Sequence, residues 1–578
     1  MRQTRTMLGR GLALWLALLL AAGSALAAAP AEKSREEARR EDLDFLYEQV
    51  LKGAHPNAFS VTPEEEFLAL KREIEARLPE ESQEEFLLDL MALTALAGDS
   101  HTMISVGNAA GFRAYPFAML RRGEAWYLTA ARPEDEDLLC QEITALAGRP
   151  VEEVIQAYGR LFASDNPVHL QRQFRQACNV ADIYEYLGLT EAGGPLSVTL
   201  KNGKVLSLEP MDMVEMNGLE IARIADRIQG QPETAAADAD YFAKPLDPST
   251  YYIQYNVCRE AEDLPMADFA GAVAKDLAAG EYKRVLLDLR NNGGGSDGVV
   301  WPLFAVLREA MDGGCELVGL IGERTFSSAL INAVEIQEMG GVLAGEPTGG
   351  SVCHFGAVRT FSLPNSGARG QVSSKYIDLN TLLDAGAGRG AEALEPDVEV
   401  PQTVEDTLSG RDTLVDWLSA HPERLSAKAY PDAPLTRGRF IGLLYEAAGS
   451  PAVELGEELP FPDSFGIEWY LPALAWARGN DVARGGADGT FSAARPITWR
   501  EAAVFLGRTA EALGREPAPE GRRSGPIPAA LAQGWEQSAV TKAWDLGLLP
   551  GDADFTKPLT RSQGEELAAA LGARMRKG

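Results

Sequence analysis

Residues 284–295 read RVLLDLRNNGGG, a β-prone apolar run that passes directly into three consecutive glycines. Glycine adopts backbone conformations that other residues avoid, so the triplet allows a sharp turn and leaves N–H groups able to face a ligand or an oxyanion. Further apolar runs alternate with helical segments, from YYIQYNV at residues 251–257 to GVLAGE at residues 341–346. Strands alternating with helices predict a layered α/β domain with largely parallel pairing, which we place at residues 240–420.

A second chemically suggestive segment follows the next apolar strand, ELVGLIG at residues 316–322. The chain continues as ERTFSSAL, which places Ser327 and Ser328 where the strand passes into a helix. The positive end of a helix dipole stabilises a developing negative charge, so a serine held there is a candidate nucleophile. The same composition also fits two serines that only cap the helix.

A serine nucleophile needs a base, and histidine is scarce in this chain. One of its five histidines, His101, lies in GDSHT at residues 98–102, at the end of a segment rich in Glu, Leu and Ala. Apolar residues recur at helical spacing in that segment, which predicts an N-terminal helical domain over residues 31–110. Residues 111–230 alternate short β-prone runs with Gly, Pro and Asp, which predicts a mixed α/β insert.

The first residues have the pattern of an export signal. Three arginines precede or flank the apolar run GLALWLALLLAA at residues 11–22, and the small-residue sequence ending at Ala27 follows. The run is shorter than the roughly 20 residues that span a bilayer, so we predict a signal peptide over residues 1–27, cleaved near Ala27. The formal net charge of −30 disfavours binding to nucleic acid or anionic lipid, because both are recognised through basic clusters.

Five motifs in the predicted α/β domain together resemble the C-terminal processing, or tail-specific, peptidase family. In order, these motifs are DLRNNGGG at residues 288–295, TFSSA at 325–329, GEPTGG at 345–350, LPNSG at 363–367 and EPDVEV at 395–400. HPN at residues 55–57 and GDSHT extend the similarity into the helical domain. The resemblance implies a serine peptidase whose core is a layered α/β fold of the ClpP/crotonase type.

The segment GRPVEEVIQAYGRL at residues 148–161 is similar to the strand, turn and helix of a PDZ module. A PDZ module in this family binds the tail of the substrate. The resemblance therefore makes the mixed α/β insert a candidate PDZ-like module, and a plain structural insert is the alternative.

Carried over residue by residue, the resemblance gives Ser327 the role of nucleophile. The backbone N–H groups of Ser328 and of Gly293 or Gly294 would form the oxyanion hole that stabilises a tetrahedral intermediate. Family members with a Ser-Lys dyad carry their lysine where this chain has Ser351. The branch that resembles tricorn protease uses a histidine base together with a glutamate instead.

His101 matches the base of that tricorn-like branch, and Glu392 is the leading candidate for the carboxylate that orients it. Glu346 and Glu395 are alternatives for the carboxylate. His354 is an alternative base, because it lies closer in sequence to GEPTGG. The resemblance implies no metal and no organic cofactor.

Self-similar sequence follows a linker and predicts a repeat architecture over residues 428–578. The clearest copy, residues 461–506, resembles the S-layer homology module, an all-α repeat that binds anionic secondary cell-wall polysaccharide. An arginine near a helix start can donate two hydrogen bonds to a carboxylate, so three such residues are candidate polymer contacts. They are Arg437, Arg500 and Arg561, and the middle copy carries Trp499 where an arginine is expected.

Two functions remain open on the sequence. The first is a secreted serine peptidase, anchored at the bacterial cell wall, that acts on a peptide or protein substrate. The second is a catalytically inactive surface protein of the same fold that binds peptide or wall polymer, and the missing lysine motivates it. Neither interpretation includes a nucleic-acid partner, or a membrane once the signal has been cleaved.

Overall fold

The computed structural model describes residues 33–105, 111–235, 238–379, 392–426, 434–456, 458–464, 471–493, 495–514, 527, 536–551 and 554–576. The predicted signal peptide over residues 1–27 lies outside these ranges. Within them, no helix combines the length and the apolar character needed to cross a membrane.

The N-terminal part of the chain is helical, as the apolar spacing predicts. Its helices are α1 (Arg35–Phe45), continued by a π-helical turn (Leu46–Leu51), α2 (Glu64–Arg77) and α3 (Gln83–Ala95). Serines begin α1 and α3 with capping boxes, in which the serine side chain and a glutamate three residues later satisfy each other's backbone N–H groups. Helix α3 is buried from Phe86 to Thr94 and leads directly into the GDSHT segment and β1 (Met103–Ile104).

A mixed α/β region follows, built on a seven-stranded antiparallel sheet. The strands of this region are β2 (Arg113–Ala114), β3 (Ala118–Arg122), β4 (Ala125–Ala131), β5 (Glu142–Leu146), β6 (Arg149–Pro150), β7 (Leu196–Leu200), β8 (Val205–Leu208), β9 (Met211–Asp212) and β10 (Ala222–Arg223). Its helices are α4 (Val151–Tyr158), α5 (Pro167–Ala177), α6 (Ala181–Tyr186) and α7 (Met213–Asn217). Strands β5 and β6 followed by α4 give the predicted order of strand, turn and helix, and the PDZ-like role of this unit stays a prediction.

The third region is the layered α/β core, and this fold class is confirmed. Its first strands and helices are β11 (Tyr241–Asp247), β12 (Thr250–Tyr255), α8 (Met266–Ala279), β13 (Arg284–Asp288), α9 (Trp301–Asp312), β14 (Glu316–Ile321), α10 (Ser328–Glu338) and β15 (Val342–Gly345). They continue with β16 (Cys353–Gly356), β17 (Arg359–Ser362), β18 (Arg369–Val372), β19 (Lys375–Asp378) and β20 (Val398–Glu399). The main sheet has the order β11-β12-β13-β14-β15-β20, and every pair except β11 with β12 is parallel.

Every residue of β13 and β14 is buried, because helices cover both faces of the parallel sheet. Val285 and Leu287 pack toward the cluster that contains α8, α9 and α10. Leu286, between them, packs on the opposite face with residues of α12 (Thr413–Ala420), the helix that follows α11 (Val404–Ser409). The alternation of side chains along the strand thus divides its residues between the two faces of the sheet.

Two long-range contacts join the helical region to the core. Strand β1 pairs antiparallel with β18, with Met103 opposite Gln371, so the residues just before β1 are brought to the core. The carboxylate of Asp42 on α1 accepts the backbone N–H groups of Asn365 and Ser366, which belong to the LPNSG segment. The helical region is therefore held against the core from both of its ends.

The C-terminal part is all-helical, with α13 (Arg437–Ala447), α14 (Leu471–Gly479), α15 (Trp499–Ala512), α16 (Gln537–Asp545) and α17 (Arg561–Arg576). Three segments that precede α13, α15 and α17 close a ring of backbone hydrogen bonds. Leu435 N donates to Leu559 O (2.8 Å), Leu559 N to Ile497 O (2.9 Å), and Ile497 N to Leu435 O (2.9 Å). Each of the three units contributes one donor and one acceptor, which is the arrangement expected of three similar repeats around a pseudo-threefold axis.

Candidate active site

The segment after β14 turns sharply to place Ser327 at the start of α10. Ser327 has φ 53° and ψ −127°, a conformation that is uncommon for a residue with a side chain and that persists only when the surroundings enforce it. The two residues before Ser327 are held by hydrogen bonds to residues between β13 and the three glycines. Thr325 Oγ1 donates to Leu289 O (2.9 Å), and Phe326 N donates to Asn292 O (3.2 Å). The serine turn and the glycine segment are thus fixed to each other.

Neither serine of this turn caps α10 with its side chain, so the helix-cap interpretation does not describe them. The Ser327 side chain makes no capping hydrogen bond, and Ser328 Oγ donates instead to Gly295 O at 2.8 Å. The backbone N–H of Ser328 lies in the first turn of α10, where helical N–H groups have no intrahelical partner. It is therefore available to stabilise a negative charge near Ser327.

The glycine segment packs so closely on Ser327 that only glycine fits there. A Cβ on Gly294, whose φ is +103°, would lie 2.7 Å from Ser327 Cβ and 3.1 Å from Ser328 N. The Gly294 N–H donates to Asn292 Oδ1 (2.9 Å) and is occupied, whereas the Gly293 N–H forms no hydrogen bond with any residue that the structure describes. Gly293 and Ser328 are thus the candidate oxyanion donors, and Gly294 provides the space between them.

Gly294→Ala is expected to reduce turnover by about 10²- to 10³-fold, the loss typical of misplacing one oxyanion donor. The added methyl group can be accommodated only by moving Ser327 or the glycine segment, and the positive φ adds strain. Gly293→Ala is the matched variant, because its Cβ would meet nothing within 4 Å, and it should lose far less activity. Steady-state kinetics on folded protein would contradict the packing argument if the two variants were equally impaired.

Buried histidines surround Phe326, the residue immediately before Ser327. The His101 ring stacks on the Phe326 ring with 4.3 Å between centroids, and the His169 ring stacks on Phe326 at 5.0 Å. His354 stacks on His101 at 5.2 Å. The structure thereby brings His101 to the residue that precedes Ser327, although His101 and Ser327 lie 226 positions apart in the sequence. Neither ring nitrogen of His101 forms a hydrogen bond with a described residue.

Asp99, two residues before His101, is the carboxylate at the centre of these histidines. Its Oδ2 lies 3.1 Å from His55 Nε2, and its Oδ1 accepts the His101 backbone N–H (2.8 Å) and lies 4.0 Å from His101 Nδ1. Burial alone would raise the pKa of Asp99, but the His55 hydrogen bond and the nearby His101 outweigh burial and lower it. We refer to His55, His101, His169 and His354, together with Asp99, as the histidine cluster.

Burial governs the charge of His101, His169 and His354. The pKa of His101 falls to about 3, first because the ring is desolvated and second because His354 lies beside it. Burial likewise lowers the pKa of His169 to about 4, and lowers that of His354. His101 is consequently neutral across the neutral pH range, and neutral imidazole is the form that accepts a proton.

The glutamates named as orienting carboxylates are not brought to His101. Glu392 has an exposed side chain and contributes its backbone oxygen, which accepts the Val352 N–H at 3.0 Å. Glu395 is also exposed, and Glu346 faces Arg122, with a pKa raised by burial. Asp99 is the carboxylate near His101, and its place in GDSHT was the sequence signal that could have identified it.

The position where related peptidases carry lysine is filled by a buried polar pair. Ser351 is fully buried, and its Oγ accepts a hydrogen bond from Asn166 Nδ2 at 2.9 Å. The backbone oxygen of Ser351 lies 2.7 Å from His354 Nδ1, which fixes the orientation of that ring. Position 351 therefore offers no base, and the histidines around Phe326 are the candidate bases.

The three arginines of the repeat region have different surroundings. Arg437 is buried: its Nη1 lies 2.9 Å from Glu501 Oε1, and its guanidinium carbon lies 4.8 Å and 5.1 Å from the rings of Phe491 and Phe505. Arg561 lies at the start of α17 with a partly exposed side chain that pairs with Glu565 at 2.7 Å. Arg500 is intermediate in exposure, and its backbone N–H donates to Phe555 O.

Residues 460–503 match the S-layer homology domain. This S-layer homology domain contains α14, the ring segment at Ile497 and the start of α15. It covers the middle one of the three units that close the hydrogen-bonded ring, which is the copy that the sequence identifies most clearly. No curated protein matches the chain.

Solved structures that this chain is similar to include those of CPAF and of two proteases. The structure of mature CPAF complexed with lactacystin is 12% identical, covers 67% of this chain and 97% of that chain, and has a TM-score of 0.45. The photosystem II D1 C-terminal processing protease is 13% identical over 66% of this chain and 99% of its own, with a TM-score of 0.32. Tricorn protease is 13% identical over 68% of this chain and 37% of its own, also with a TM-score of 0.32.

Proposed function

We propose that this protein is a secreted serine peptidase, with Ser327 as nucleophile and His101 as base, that S-layer homology repeats hold at the bacterial cell wall. One observation carries the catalytic part: a buried neutral histidine stacks on the residue that precedes a serine in a strained turn. A strained turn that carries a candidate nucleophile next to a buried base is typical of sites for nucleophilic catalysis.

The chemistry follows from the position of each group. The hydroxyl of Ser327 attacks the carbonyl carbon of a peptide bond while the imidazole of His101 accepts its proton. The N–H groups of Ser328 and Gly293 receive the oxyanion, and the N-terminal end of α10 adds a favourable dipole. Protonated His101 then donates the proton to the leaving amine. Water next attacks the acyl enzyme while His101 accepts its proton, and His101 returns that proton to Ser327 as the acid product leaves.

Asp99 provides the negative charge that an imidazolium requires in this buried site. The Asp99 carboxylate and the His101 ring are 4.0 Å apart at their closest nitrogen and oxygen, so the interaction is mainly electrostatic. His55 and the backbone N–H of His101 hold Asp99 in place. Asp99 thus replaces Glu392 as the carboxylate that we assign to the base.

His354 is the second candidate base. Its Nε2 has no hydrogen-bond partner among the described residues, and its Nδ1 is held by the Ser351 oxygen, as in a base with a fixed tautomer. His354 stacks on His101, and His101 stacks on Phe326, so we assign the base to His101, the ring that contacts the residue before Ser327.

A fluorophosphonate probe tests the proposal against an inactive binding protein of the same fold. An activated serine reacts with the probe, so the mature protein should be labelled at Ser327 and the label should disappear in Ser327→Ala. Folded protein that stays unlabelled, and that hydrolyses no peptide, would instead favour the inactive surface protein.

The wall-anchoring part predicts that Arg561→Ala weakens the binding of the full chain to isolated cell walls, since Arg561 is partly exposed. Arg437→Ala should chiefly lower the melting temperature, because it removes one partner of a buried ion pair, a change that costs about 3 to 5 kcal/mol. Pelleting with purified walls and thermal denaturation measure the two effects in a Ser327→Ala background. Undiminished pelleting of Arg561→Ala would refute its role, and Arg500→Ala serves as the comparison in the copy that carries Trp499.

A further inference from the structure

Three side chains near the Ser327 turn form a group of which the proposed catalysis uses only two, Asp99 and His101. Asp99, His101 and Asp165 each place a potential ligand atom within 4.8 Å of the others. Asp99 and His101 are almost fully buried, with exposed fractions of 0% and 4%. Asp165 comes from the segment just before α5, so the group joins the helical region to the mixed α/β region.

Polar atoms at the centre of this group lack partners. Both ring nitrogens of His101 and the Oδ2 atom of Asp165 are buried and form no hydrogen bond with any described residue. Such atoms are rare in folded proteins, because they lose their hydration without compensation. Their convergence on one point indicates a ligand with a positive charge and an affinity for both nitrogen and oxygen.

The loop that carries Asp165 is held so that one carboxylate oxygen faces the group. Asp165 N donates to Ser100 Oγ (2.8 Å), and Asp165 Oδ1 accepts the Ser100 backbone N–H (3.1 Å). The next residue, Asn166, donates to Ser351 Oγ and to Gly349 O. These contacts fix Oδ1 and leave Oδ2 as the free oxygen.

Charge also favours a cation here. Two carboxylates held together away from water repel each other unless a positive group lies between them. In the described part of the chain no Lys or Arg side chain forms an ion pair with either carboxylate.

We propose that Asp99, His101 and Asp165 form a zinc site that regulates the peptidase by occupying its base. Zinc accepts one imidazole nitrogen and two carboxylate oxygens in a four-coordinate site, with water as the fourth ligand. Calcium requires six to eight oxygen ligands and magnesium prefers six oxygens, so a group that includes histidine suits neither. Bonds of about 2.0 to 2.2 Å require the ligand atoms to approach within about 3.3 Å of one another. The site would therefore close from separations of up to 4.8 Å among the three ligand atoms, of which Asp99 Oδ1 and His101 Nδ1 lie 4.0 Å apart.

Binding of zinc would make the peptidase reversibly silent. A zinc ion on His101 fixes the imidazole against Asp99 and Asp165, so that the ring cannot accept a proton from Ser327. This consequence rests on the proposed function, in which His101 is the base. The binding of zinc itself does not rest on it, and the two can be measured separately.

The binding test uses the full mature chain without a histidine tag, in the Ser327→Ala background so that no hydrolysis interferes. Titration with Co²⁺, followed by its visible absorption and by displacement with Zn²⁺, should show one site per chain. Asp165→Asn keeps an oxygen that can accept the Ser100 N–H. Both Asp165→Asn and His101→Gln should weaken metal binding by more than about tenfold. Mutation of residues that only orient metal ligands already reduces metal affinity by about 10- to 100-fold. His421→Gln is the matched control, because His421 lies outside the histidine cluster and stacks on Trp417.

The outcomes separate this inference from the proposed function. The zinc site is supported if one saturable site is lost in His101→Gln and Asp165→Asn while the thermal melting of the apo variants is unchanged. This conclusion holds even if the protein never hydrolyses a peptide. Zinc should then inhibit the active wild type over the same concentration range in which it binds, and a chelator should restore activity. Absence of saturable binding, or binding that survives both substitutions and is lost in His421→Gln, overturns the zinc site while leaving the serine mechanism intact.

Discussion

Ser327→Ala is expected to lower the turnover number by about 10⁴- to 10⁶-fold, because removal of the nucleophile of a serine hydrolase leaves only binding and the oxyanion hole to act. The fold should be retained, since the Ser327 side chain makes no capping hydrogen bond with α10. Hydrolysis of an unstructured polypeptide by the purified mature protein measures the effect. Thermal denaturation of the same preparation establishes that the variant is folded.

Ser328→Ala is the matched control for that substitution. It removes the hydrogen bond from Ser328 Oγ to Gly295 O but keeps the backbone N–H that faces the oxyanion. A single intramolecular hydrogen bond contributes about 1 kcal/mol, so activity should stay within about tenfold of the wild type. Equal losses in the two serine variants would break the assignment of the nucleophile.

The order of strands and helices in the core could be predicted because each element depends on the residues within its own short segment. Residues 284–288 are all apolar apart from their ends, which is the pattern of a strand covered on both faces, and helical segments separate this strand from its neighbours. The pairing of β1 with β18 could not be predicted in the same way. It joins Met103 to Gln371, and no local property of either segment identifies a partner so distant in sequence.

The same distinction between local signals and tertiary contacts applies to the candidate site. Ser327 was identifiable from its turn between a strand and a helix, whereas its positive φ was not, since serine carries no signal for that conformation. Proximity in sequence to a family motif suggested Glu392, but its side chain is exposed and Asp99 lies beside His101. His55, His169 and His354 join Asp99 and the neighbouring His101 through tertiary contacts alone, which no spacing rule anticipates.

In the repeat region, too, a sequence motif alone does not identify the role of a residue. Arg437 has the sequence context of a polymer contact, yet its guanidinium contacts the rings of Phe491 and Phe505 and pairs with Glu501. Its partners come from more than fifty positions away and could not be read from the motif. Wall binding by Arg437 stays a prediction, and its contacts support a contribution to the stability of the repeats.

His101→Ala is expected to reduce turnover by about 10⁴- to 10⁶-fold, comparable to the loss of the nucleophile, since the members of a catalytic unit fail together rather than additively. A serine hydroxyl is a poor nucleophile near neutral pH without an adjacent base. Asp99 keeps its contact with His55 in this variant, so the helical region should remain folded. Polypeptide hydrolysis, fluorophosphonate labelling and thermal denaturation of one preparation measure the three properties side by side.

His354→Ala distinguishes the two candidate bases, because it removes the ring that stacks behind His101 and leaves His101 against Phe326. We expect it to lose much less activity than His101→Ala. Its loss of a buried ring should appear in the melting temperature instead, as for other large-to-small substitutions in a core. If His354→Ala abolished both labelling and hydrolysis while His101→Ala retained them, the base would belong to β16, where Ser351 O already holds the other ring nitrogen in place.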